Sequence, residues 1–116
     1  MNPRNVFLFF ALYAGVASAA EPLQCNVGPI QREIGGSMWQ VTSCDDGHSL
    51  VFATMAGNPA MPFVFIIHRG GQESQINGEG NGSKKHSAAA FEELKTMTED
   101  KFDELVEATK RVNTSE

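Results

Sequence analysis

Residues 38–69, MWQVTSCDDGHSLVFATMAGNPAMPFVFIIHR, restrict the fold more than any other part of this chain. They hold the only Trp, one of the two Cys, and nearly half of the β-branched and aromatic side chains after the leader. Such residues favour pleated, half-buried surfaces. Asp46-Gly47 lies between two alternating runs and predicts a two-residue type I′ hairpin turn. Asp45 then pairs with His48, Ser43 with Leu50, Val41 with Phe52, and Trp39 with Thr54. Trp39, Val41, Leu50 and Phe52 share one face, and this matching of large apolar residues sets the register.

The same reasoning extends in both directions. Residues 29–34 alternate weakly, with Ile30, Arg32 and Ile34 on one side, and Gly35-Gly36 comes next as a turn. Gly57-Asn58-Pro59 marks a loop. Residues 62–68 form the most apolar strand. Gly70-Gly71 then predicts a turn into a polar last strand, with Ile76 opposite Phe65 and Ser74 opposite Ile67. Residues 78–83, GEGNGS, read as a flexible linker. Helical spacing begins after it. Ser87 is the expected N-cap, and Phe91, Leu94 and Met97 or Thr98 form the stripe. Thr98 caps a second helix with Glu99 and Asp100 in its first turn, the charge that the helix dipole favours. Phe102, Leu105, Val106, Thr109 and Val112 form its apolar stripe. The predicted class is α+β: an antiparallel β-meander of four to five strands with two C-terminal helices on one face. The sheet is expected over 29–77 and the helices over 86–113.

Residues 1–20 read as a secretory signal peptide. Arg4 gives a basic n-region, residues 6–17 a short apolar run, and Ala17-Ser18-Ala19 the small-x-small cleavage pattern. Residues 21–116 are expected to form one small domain. Loss of Arg4 leaves eight of the nine basic residues against 14 acidic ones, a net charge of about −6. That balance argues against nucleic acid and anionic membranes as partners. No later stretch is apolar enough for membrane insertion after signal cleavage. The expected address is periplasmic or secreted. In such a compartment Cys25 and Cys44 are expected to form a disulfide. It closes a loop of about 20 residues and adds roughly 3 kcal/mol in the chain-entropy model.

Three clusters could carry chemistry. In the predicted registers Val51, Ala53, Val64 and Ile66 lie together on the sheet face opposite the helices. An apolar patch there points to a partner protein, to self-association or to a ligand groove. The competing reading is that the 56–61 loop or the N-terminal lead-in folds over it. Asp45, Asp46 and His48 group two carboxylates with an imidazole, although a lone hairpin tip offers few metal ligands. Gly82, Lys84, Lys85 and His86 place basic groups and backbone N–H groups at a helix start, where an anion could sit. The glycines before them do not have P-loop spacing. With both cysteines bridged, no strong nucleophile remains, and no cofactor motif is present.

The runs Ser43-Cys44-Asp45-Asp46-Gly47-His48-Ser49-Leu50-Val51, then Gly57-Asn58-Pro59-Ala60-x-Pro62-Phe63, then Gly78-Glu79-Gly80-x-Gly82 before an Ala-rich helix, resemble a group of small uncharacterised proteobacterial exported proteins. The resemblance covers most of the chain after the leader. It implies a periplasmic address and brings no activity, ligand or catalytic residue. The leading expectation is therefore a non-enzymatic binding module using the patch, with an inhibitor or immunity-type protein as one version. A small hydrolase or metal-dependent enzyme around Asp45, Asp46 and His48 is the second reading. Anion or sugar binding at the Gly-rich loop and helix start is the third.

Overall fold

Seven elements succeed one another in the computed structural model, which describes residues 22–70 and 73–114. The expected signal peptide, 1–20, and Gly71 of the expected Gly70-Gly71 turn lie outside the described residues. The strands are β1 (Val27–Ile34), β2 (Ser37–Ser43), β3 (Leu50–Thr54), β4 (Phe63–His68) and β5 (Gln75–Gly80). The helices are α1 (Lys84–Thr96) and α2 (Glu99–Thr114). Each strand pairs antiparallel with the next, so the sheet order is β1-β2-β3-β4-β5. Helix α2 packs on β1 and β2, and α1 packs on β1. The class is α+β, as the alternation of patterns predicts.

Ser43 pairs with Leu50, Val41 with Phe52, and Trp39 with Thr54, the predicted register. The turn that produces it is different. A type I′ turn needs positive φ at both central residues, and no described residue other than glycine has it. Instead Cys44 N–H donates to Ser49 O, and Gly47 N–H donates to Cys44 O, which makes a four-residue loop, 45–48. Within this loop only Gly47 takes positive φ, +77°. The Asp46 carboxylate accepts from the His48 and Ser49 N–H groups, so its side chain stabilises the loop rather than its backbone. A two-residue and a four-residue loop here give the same pairing, which is why the register survives the change of turn.

The β4–β5 pairing departs by two residues. Ile67 opposes Ile76, Phe65 opposes Gly78, and His68 opposes Gln75. The connection therefore spans residues 69–74 and is longer than a Gly70-Gly71 turn. A shift of two preserves faces, so Ile76 still packs against the core. The strand also runs to Gly80, through what the composition predicts as linker. Its glycine has a packing cause. A Cβ built on Gly78 would come within 2.8 Å of Phe65 and 2.9 Å of Phe63 ring carbons, so the two rings occupy the space of the missing side chain. At the other edge, β1 begins at Val27 because a bulge between Val27 and Ile30 lets pairing continue past Pro29.

Trp39, Val41, Leu50, Phe52, Phe65 and Ile67 are buried on the inner face beneath Leu94 of α1 and Phe102, Leu105 and Val106 of α2. Trp39 Nε1 donates to Ile34 O at 3.2 Å, which satisfies the indole in the core. Val112, expected in the α2 stripe, is exposed, and Ala108 is buried. Helix α1 starts at Lys84 with Ser83 at the N-cap, two residues before the expected start, and Ser87 lies inside it with its hydroxyl donating to Lys84 O. Thr98 does cap α2, its hydroxyl accepting from Lys101 N–H at 3.1 Å.

Polar bonds tie the helices to the sheet. Thr109 Oγ1 donates to Val106 O at 2.6 Å, and Ser43 Oγ lies 2.7 Å from Thr109 Oγ1. Thr109 has one hydroxyl proton, so Ser43 is the donor of this buried bond. Gly35 N–H donates to Glu93 of α1 at 2.7 Å. A Cβ on Gly35 would stand 2.5 Å from Ala90 N. Cys25 and Cys44 form a disulfide across 19 residues of sequence, joining the N-terminal lead-in to the end of β2.

This packing makes two outcomes measurable. Replacing both cysteines with serine is expected to lower the unfolding free energy by about 3 kcal/mol in urea titration. Gly35→Ala, which both strains φ and displaces α1, is expected to cost roughly 2–4 kcal/mol. Gly36→Ala is its control. It has positive φ but open space around its Cβ, and should cost only about 1 kcal/mol.

Candidate functional site

The pairings define the outer sheet face. Val51 opposes Ile66 and Ala53 opposes Val64, so the four residues form two adjacent cross-strand pairs on β3 and β4. On one side lie Gln40 and Thr42 of β2, and on the other Asn77 and Glu79 of β5. Ile66 is 39% exposed, and Val51, Ala53 and Val64 are half-buried. Every sheet residue of the core cluster comes from the inner face. The 56–61 loop, one candidate cover, contributes Ala60 to the core, where it is fully buried. Asn58 fixes this loop, donating from Nδ2 to Met38 O at 2.7 Å and accepting Ala60 N–H at 2.8 Å.

At one end of this face lies an open groove of about 360 Å³, walled by Glu33, Gly36, Ser37 and Met38 on one side and by 56–59 on the other. Met38 is 42% exposed and is the register partner of Glu33. Residue parity also places Met38 on the outer face with Gln40 and Thr42. Sequence patterns alone single out neither Met38 nor the groove. Alternation within β2 is a usable signal for Met38. The groove has none, because it needs two turns brought together.

The hairpin tip is arranged for structure. Both Asp46 oxygens are engaged, Oδ1 by the His48 and Ser49 N–H groups and Oδ2 by Ser49 Oγ at 2.7 Å. Burial works to raise the Asp46 pKa, but these donors and nearby His48 outweigh it and hold the carboxyl below its usual range. Asp45 instead bonds Gln24, through its carboxylate and its N–H. His48 uses its backbone here and its ring is exposed. Among the described residues no three His, Cys, Asp or Glu side chains stand close enough to share a metal ion.

Arg69 is a polar hub that no sequence motif announces. Its side chain is only 7% exposed. Nε bonds Glu99 Oε1 at 3.0 Å, Nη2 bonds Asp103, and Nη1 bonds His48 O at 2.9 Å. Its guanidinium also lies 5.4 Å from the centre of the Phe102 ring. Burial pulls the Arg69 pKa down, but Asp103 and Glu99 overcome this and the net shift is upward. The Ser74 hydroxyl holds Glu99 below the usual carboxylate range; burial works against it, Arg69 adds to it through its hydrogen bond and charge, and nearby Asp103 opposes. The available sequence signal is the i, i+4 spacing of Glu99 and Asp103 on one helix face, which suits a single guanidinium.

The Gly-rich segment is similarly occupied. The N–H groups of Asn81 and Gly82 both donate to Pro62 O, at 3.1 and 3.2 Å. Ser83 Oγ lies 2.9 Å from His86 Nδ1. Lys84 and Lys85 are exposed, and the first turn of α1 has no acidic residue. The structure thus brings together Val51, Ala53, Val64 and Ile66. It directs the Gly82 N–H toward Pro62 and the His86 ring toward Ser83.

No protein-family model matches the chain, and no curated protein and no solved structure matches it. No helix among the described residues is long and apolar enough to cross a membrane. The disulfide is compatible with an oxidising compartment outside the cytoplasm.

The hub has a measurable consequence. Glu99 and Asp46 have folded pKa values below their unfolded ones, so their stabilisation is full above the unfolded values and is lost as pH falls through the folded ones. Unfolding free energy should therefore fall below about pH 4. Arg69→Met is expected to cost about 2 kcal/mol at pH 7 and to flatten that acid slope, since Glu99 loses its cation. Urea titrations from pH 7 to pH 3 measure both effects.

Proposed function

We propose that this protein is a non-enzymatic interaction module of the periplasm or extracellular space, binding another protein through the outer face of its sheet. One observation carries the reading: Val51, Ala53, Val64 and Ile66 form a contiguous apolar surface rimmed by polar side chains, away from the core. Antiparallel sheets that face water on one side normally alternate polar outward. Four apolar residues at adjacent outward positions cost solubility and contribute nothing to the inner core, which is the arrangement of a docking surface. A standard interface has an apolar centre and a wet rim, and here Gln40, Thr42, Asn77 and Glu79 supply the rim. The signal-peptide pattern of residues 1–20 and the resemblance to small exported proteins support the address. The hairpin tip supports an enzymatic reading less well, because Asp46 has both oxygens in use.

Val64→Glu places a charge at the centre of this face. The position is outside the core, so stability should change little, by about 0.5 kcal/mol. Capture of partners from a periplasmic extract is expected to fall about tenfold or more relative to the unchanged protein. Size-exclusion chromatography of both proteins shows whether a second copy is the partner. Equal capture of every partner by the two proteins, with identical elution, would sink the proposal.

A further inference from the structure

We infer that the groove at the end of the outer face is a pocket for a basic side chain, arginine or lysine, presented by the partner protein. The inference rests on the proposed docking face for the source of that side chain, and on the groove alone for its chemistry. Glu33 supplies the single formal charge among the lining residues. Its carboxylate has no hydrogen bond or ion pair among the described residues. Beside it, as its cross-strand neighbour, stands Met38, a polarizable apolar side chain that is 42% exposed. Pro59 and Ala56 form the facing wall.

This combination suits a long cationic side chain better than a small ion or an apolar group. Arginine and lysine bury an aliphatic stem while keeping a charged head at the rim. Met38 and Pro59 can contact the stem, and the Glu33 carboxylate matches the head, best of all the planar guanidinium. A single carboxylate is too few ligands for a divalent metal. The volume, about 360 Å³, lies at the small end of ligand pockets, where one side chain fits and a large cofactor does not. The net charge of the whole chain, −5, favours a cationic visitor at longer range.

The wall is also preformed. Asn58, 7% exposed, is bonded through both ends of its amide to Met38 O and to Ala60 N–H. The loop therefore does not need to be ordered at binding, which removes an entropic cost. Gly36 and Gly57 stand at the rim with nothing within 4 Å of where a Cβ would be, so the mouth is open. A basic residue seated here would lie beside the Met38 end of the apolar face, so that one partner surface could engage both.

The test is an NMR titration of the labelled protein with Nα-acetyl-arginine methylamide. The same titration with the uncharged isostere, Nα-acetyl-citrulline methylamide, is the control. Saturable shifts are expected at the Gly36, Ser37 and Gly57 amides, with the citrulline compound binding about fivefold more weakly. Glu33→Gln should abolish that preference, and Ala56→Trp, which fills the groove from an exposed position, should abolish binding. Absence of saturable shifts, equal shifts from both compounds, or an undiminished preference in Glu33→Gln would overturn the inference. Val64→Glu should leave the titration unchanged. A failure of the pocket is thereby separated from a failure of the docking face.

Discussion

Side chains alternate strictly along β2 and β3, so a slip of one residue in their pairing would turn Trp39, Val41, Leu50 and Phe52 out of the core. Everything else in the molecule depends on that register. The inner face it creates accepts Leu94 from α1 and Phe102, Leu105 and Val106 from α2. The outer face it creates holds Val51, Ala53, Val64 and Ile66. The loop at 45–48 keeps the pairing through the Asp46 carboxylate and a single positive-φ glycine. The disulfide then fixes the lead-in to the end of β2 beside that loop.

Apolar burial brings the helices onto the sheet but does not by itself fix their place along it, because contact between greasy surfaces has little direction. Three polar connections supply the direction. Gly35 N–H meets Glu93 near the β1–β2 turn, Ser43 meets Thr109 in the buried layer, and Arg69 gathers Glu99 and Asp103 at the opposite end of the sheet. Each joins a strand end or turn to a helix across a large sequence separation. The Arg69 hub also connects to the hairpin tip, through Ser49 Oγ and His48 O. Side chains of a kind that often does catalysis are thereby committed to holding the fold.

The result is a sheet with two different faces. One is closed by the chain's own helices. The other carries apolar pairs at its centre and polar residues along both flanks, and ends in the groove beside Met38. That division is what makes a binding role the natural reading of so small a domain. The apolar residues at the centre of the outer face lie outside the core cluster, and the groove beside them is shaped by a loop already held in place.

The order of elements, their class, the Cys25–Cys44 bridge, the hairpin register and the outward position of Val51, Ala53, Val64 and Ile66 are all legible in the amino-acid string. These rest on local alternation, helical spacing and cysteine chemistry, and neighbouring strands in a meander inherit their faces from period two alone. That 78–80 is strand becomes visible only once the chain is folded. Glycine carries no pattern, and what admits it is the pair of Phe63 and Phe65 rings lying over Gly78. The shift of Ile76 to Ile67, the role of Arg69, and the groove likewise emerge from three-dimensional packing. Each depends on groups far apart in the chain, and a sequence records which charges and turns exist but not which of them the folded backbone sets side by side.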